Sequence, residues 1–78
     1  MALIAKFTER PSGHFNWRTE VECGYSIGHH GDRRILHLET YGSSDRQIPG
    51  KVSQSLELDE NAARELVAVL HRAFPGIG

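Results

Sequence analysis

The pattern of this sequence predicts an α+β fold: a four-stranded antiparallel sheet followed by one C-terminal helix, in the order β-β-β-β-α. Three observations carry that prediction. Residues 19–27 and 33–41 both alternate apolar and polar side chains around a segment rich in glycine and histidine. Residues 60–74 place apolar side chains at helical spacing behind a capping residue. Between these regions, YGSSDRQIPGKVSQSLEL (residues 41–58) joins one alternating segment to another through a connection longer than a plain hairpin needs.

Residues 2–8 are a short apolar run that reads as the first strand, with Leu3, Ala5 and Phe7 on one face. Pro11, Ser12 and Gly13 then mark a loop over residues 9–16. In the second strand, residues 19–27, the series Val21, Cys23, Tyr25 and Ile27 is expected to face a core, while Glu20, Glu22, Gly24 and Ser26 face away. Gly28-His29-His30-Gly31-Asp32 supplies turn chemistry. The third strand, residues 33–41, sets Leu36, Leu38 and Thr40 against Ile35, His37, Glu39 and Tyr41. The fourth, residues 52–58, points Val52, Leu56 and Leu58 inward, with Gln54 as the exception; Ser53, Ser55 and Glu57 point the other way. Asp59 is a good N-cap, and Glu60 places negative charge at the positive end of the helix dipole. Ala63, Leu66, Val67, Leu70 and Phe74 form the apolar stripe. His71 and Arg72 lie in the last turn, and Pro75-Gly76 ends the helix.

Residues 1–78 read as a single domain, without internal repeat or low-complexity tract. A chain of this size buries roughly 60% of its unfolded surface, so its core is marginal and a second subunit is the economical support. Cys23 is the only cysteine, which excludes a disulfide within the chain; its place on an apolar face predicts a buried, inert thiol. No apolar run reaches about 18 residues, and the first residues lack the basic leader of a secretory signal. No membrane partner is expected, and the lone cysteine points to a cytoplasmic location. The net charge of −1 and pI near 6.5 argue against a sequence-blind polyanion binder, whose pI usually exceeds about 9. Any nucleic-acid contact has to come from a local basic face.

No catalytic constellation assembles. The five histidines show no HxH or HExxH spacing and have no cysteine pair beside them, so they read as turn and surface residues, and no metal or other cofactor is expected. Ser43, Ser44 and Asp45 lack the context of a nucleophile elbow or a phosphate loop, and the chain reads as a non-enzyme. What remains is a polar sheet face with basic and aromatic groups. Single-stranded nucleic acid needs cations along its backbone and flat side chains for its bases. Arg33, Arg34, Arg46 and Lys51 are the expected phosphate contacts, Tyr41 the stacking platform, and Ser43, Ser44, Ser53 and Ser55 the hydrogen-bonding residues. Phe15 and Trp17 stay open between core and stacking roles.

The layout resembles the transcriptional coactivator family typified by positive cofactor four, whose C-terminal domain binds single-stranded DNA. Ile35-Leu36-His37-Leu38-Glu39-Thr40-Tyr41 stands for the family's apolar strand ending in an aromatic, and Ile48-Pro49-Gly50-Lys51 for its polar loop. Leu56-Glu57-Leu58-Asp59 occupies the strand-to-helix junction. The similarity covers residues 19–74 and rests on element order. Lys51 is the only lysine in the connection leading to the last strand, where the family has more, and Ala63 falls near the place of the family's helix tryptophan. The resemblance implies a homodimer with curved antiparallel sheets forming a channel, helices at the dimer interface, and a role as a DNA-binding transcription, replication or repair accessory factor that takes DNA rather than RNA. The alternative from the residues is a small accessory subunit that docks a partner protein through the polar loop at residues 41–55; the near-neutral charge favours it.

Overall fold

The structure is a computed structural model that describes residues 1–41 and 52–78. Strands β1 (Leu3–Ile4), β2 (Cys23–His30), β3 (Arg33–Tyr41) and β4 (Val52–Leu58) precede helix α1 (Glu60–Ala73). They form one sheet in the order β1-β4-β3-β2. The α+β class and the element order follow the sequence pattern. The sheet is mixed, however, and not wholly antiparallel: β2–β3 and β3–β4 are antiparallel, while β1 runs parallel to β4.

The first strand is shorter than residues 2–8 for a geometric reason. Leu3 pairs with Glu57 and Ile4 with Leu58, and there β4 ends at the helix cap. Residues 5–8 have no strand beside them, and the Phe7 N–H donates instead to the Glu65 carboxylate on α1, at 3.1 Å. β2 is displaced toward its C-terminal end relative to residues 19–27. Its last rung with β3 is the Tyr41 N–H to the Glu22 carbonyl, at 3.2 Å, so residues 19–21 lie past the end of β3. At the other end the strand runs through His29 and His30, because the turn needs only Gly31 and Asp32. Gly31 holds φ at +60°, which suits the two-residue hairpin with glycine in its first central position.

The register sorts the side chains onto two faces. Cys23, Tyr25 and Ile27 share the apolar face with Leu36, Leu38, Leu56 and Leu58. Gly24, Ser26, Gly28 and His30 share the polar face with Ile35, His37, Glu39, Tyr41, Ser55 and Glu57. A bulge at Thr40 and Tyr41, which pair with Gln54 and Val52, skips Ser53.

Helix α1 begins as the sequence predicts. The Asp59 side chain accepts from the Ala62 N–H at 3.0 Å, and the Phe74 N–H closes the last turn on the Leu70 carbonyl at 2.8 Å. Because the helix leaves the sheet directly from Leu58, it covers only that end of the apolar face. Among the described residues, the buried apolar side chains are Ile35, Leu58 and Ala62, at 3%, 1% and 0% exposure. Tyr25 and Ile27, expected in the core, are 73% and 63% exposed. Cys23 is exposed as well, contrary to the buried thiol that its alternation suggested. The pattern identified the right face; the described residues leave part of it exposed. No helix among the described residues is long and apolar enough to cross a membrane.

Candidate functional site

Of the nine sequence-predicted contact residues, Arg33, Arg34, Tyr41, Ser53 and Ser55 can be placed; Ser43, Ser44, Arg46 and Lys51 lie outside the described residues. Tyr41 and Ser55 come together on the polar face, because Ser55 pairs with Glu39, two residues before Tyr41 on β3. Ser53 is exposed at the adjoining bulge. Arg33 shares that face at the opposite end of β3 and lies 3.6 Å from the Asp59 carboxylate. Arg34 does not join them. It pairs with His29 and faces the apolar side, since neighbouring residues on a strand point opposite ways.

Tyr41 is positioned by an absence on the neighbouring strand. Its ring lies over Gly24, where an added Cβ would collide with the hydroxyl and come within 3.2 Å of ring carbons. Glycine at this position therefore leaves room for the phenol end of Tyr41 against β2. Burial raises the phenol above its ordinary range, and the nearby Glu39 and Glu22 charges add to that shift.

The polar face also carries a ladder of side chains that sequence reasoning had assigned to solvent. His37 and Glu57 are direct cross-strand partners. His37 Nδ1 lies 2.9 Å from one Glu57 oxygen, and His37 Nε2 lies 2.8 Å from Glu39 Oε1. The other Glu57 oxygen accepts from His30 Nε2 at 2.9 Å. In the sheet, Ile35 lies on the strand between His30 and Glu57 and faces a glycine, Gly28, on β2. The His30–Glu57 pair closes over this gap, which accounts for the burial of an isoleucine on an otherwise polar surface.

The ladder's electrostatics follow from these contacts. The Glu57 hydrogen bond, followed by contributions from Glu39, raises His37 above 6.5 despite opposing desolvation. His30 and then His37 hold the Glu57 carboxyl below 4.5. One signal was present in the sequence: His37, Glu39 and Glu57 all fall on the polar side of their strands. Their meeting depends on register, which a polar loop of unspecified path leaves open. Among the described residues no group of three or more His, Cys, Asp or Glu is arranged to hold a metal ion. Comparison with known proteins returned no match among family models, curated proteins or solved structures.

Proposed function

We propose that this chain is a non-catalytic, homodimeric module that binds single-stranded nucleic acid, DNA in preference to RNA, with the polar face of its sheet. The observation that carries the reading is the setting of Tyr41. Its phenol end reaches over Gly24, on the strands that carry Ser53 and Ser55, and the connection that follows Tyr41 in sequence bears Arg46 and Lys51. An aromatic platform and hydroxyl groups thus share one end of one face, and the sequence that follows Tyr41 supplies the basic residues that a single strand requires for its phosphates. Arg33 extends that path along the sheet. Arg34, on the other face, leaves the contact set.

The homodimer rests on the apolar face. Tyr25 and Ile27 stand open beyond the reach of α1, with Val67 and Phe74 of the helix also exposed. A second copy would supply apolar cover for these exposed side chains, and the polar faces would remain available to ligand. A docked partner protein is the competing reading of the same exposed surface.

Titration of a short single-stranded oligodeoxynucleotide at several salt concentrations tests the binding. Three phosphate contacts, from Arg33, Arg46 and Lys51, give a slope of log affinity against log salt near −2, at about −0.7 per contact. Arg46→Ala or Lys51→Ala lowers that slope, whereas Arg34→Ala leaves it unchanged. Absence of binding at low salt would sink the nucleic-acid reading. A monomer by sedimentation at micromolar concentration would remove the homodimer and favour a docked partner.

A further inference from the structure

His37 lies between two carboxylates, with each ring nitrogen within 2.9 Å of a carboxylate oxygen. A neutral imidazole has one N–H and one acceptor nitrogen, so it can satisfy only one ionised carboxylate. The protonated ring donates to both. Loss of its proton leaves a nitrogen lone pair facing a carboxylate lone pair, and one contact has to open. Glu57 stays anchored by His30, and its hydrogen bond is the stronger influence on His37. Glu39 is therefore the carboxylate released. It lies two residues from Tyr41 on the same strand and pairs with Ser55.

We propose that His37 is a proton-operated latch on the nucleic-acid face: charged, it holds Glu39 in the ladder; neutral, it frees Glu39 beside Tyr41 and Ser55, where the carboxylate repels phosphate. This rests on the polar-face reading given above and adds its regulation.

The groups around the latch support a change of one charge. β2 contributes His30 and the uncharged Ser26, which is the direct partner of His37. β3 contributes Glu39 and Tyr41, with Arg33 farther along, and β4 contributes Glu57, with Asp59 beyond it against Arg33. β1 places only Leu3 opposite Glu57, and Glu22 at the edge of β2 acts on Tyr41. No lysine or arginine among the described residues forms an ion pair with Glu39 or Glu57; the side chains within ion-pair distance of them are His30 and His37. His37 has its folded-state pKa raised, so its contribution to stability is full below 6.5 and is lost as pH rises through the raised value. Glu57 is depressed, so its contribution is full above 4.5 and is lost as pH falls through the lowered value. The closed ladder is thus most stable in mildly acidic solution.

Fluorescence anisotropy with labelled oligodeoxythymidylate at constant ionic strength tests the latch between about pH 6 and about pH 8.5, the range in which a raised histidine titrates. Wild-type affinity is expected to fall roughly tenfold across the transition at ~0.1 M salt, comparable to losing one neutralised phosphate. Glu39→Gln keeps the side chain's shape and flattens this fall. In parallel, the His37 ring proton followed by NMR has a midpoint above 6.5 that drops in Glu57→Gln. Binding with a flat wild-type profile, or the same fall in Glu39→Gln, overturns the latch while leaving the nucleic-acid reading standing. Failure to bind at every pH overturns both.

Discussion

The apolar face of the sheet buries Leu58 where the helix departs and leaves Tyr25 and Ile27 open, whereas on the polar face Ile35 is buried beside a ladder of hydrogen-bonded side chains. Hydrophobic burial is non-directional and needs area, and one 14-residue helix anchored at a single corner cannot supply enough of it. Hydrogen bonding needs geometry and little area. Three contacts among His30, Glu57, His37 and Glu39 are enough to organise the polar face. The contrast teaches that, among the described residues, one face is organised by directional contacts while the other leaves large apolar side chains exposed.

The hardest way to break the contrast is at the shared core. Leu58→Ala removes the largest fully buried side chain and is expected to cost about 2–5 kcal/mol, measured by urea unfolding. A change much below that range would mean that the helix end of the apolar face is not its packed part. Next in size is Ile27→Glu, which places a charge on the open apolar surface. In the homodimer reading it weakens self-association roughly a hundredfold, through an unpaired charge at a buried contact. Sedimentation reads the result, and unchanged association would place the interface elsewhere.

Gly24→Ala acts on the polar face alone. The new methyl group meets the Tyr41 ring, and the crowding is expected to cost about 1–3 kcal/mol. Displacement of Tyr41 should also weaken oligonucleotide binding; a variant as stable and as tightly bound as wild type would contradict the close approach of Tyr41 to Gly24. The smallest expected effect is at the junction of the two faces. Asp59→Ala loses the cap of α1, worth about 1 kcal/mol, while its exposed contact with Arg33 adds little. Thermal unfolding separates that loss from no change.

Legibility in the sequence differed between the two faces as well. Helix α1 was readable because Asp59, Glu60 and the apolar stripe act through local backbone geometry. Strands β3 and β4 were readable at their bounds because alternation is also local. The parallel pairing of Leu3 with Glu57 was not, since it joins residues far apart in the chain through backbone groups without side-chain identity. The same holds within the candidate site. Tyr41 and Ser55 were named from type and position, but the separation of Arg33 from Arg34 follows strictly from strand parity once β3 is in place.

By itself, then, the sequence determined the element order, the helix with its cap, and the division of each strand into an apolar and a polar side, because these depend on periods of a few residues. The tertiary structure alone decided the direction of β1, the seating of Tyr41 on Gly24 and the ladder through His37. Each depends on register between strands, where a slip of one residue exchanges the faces and no local preference determines the alignment.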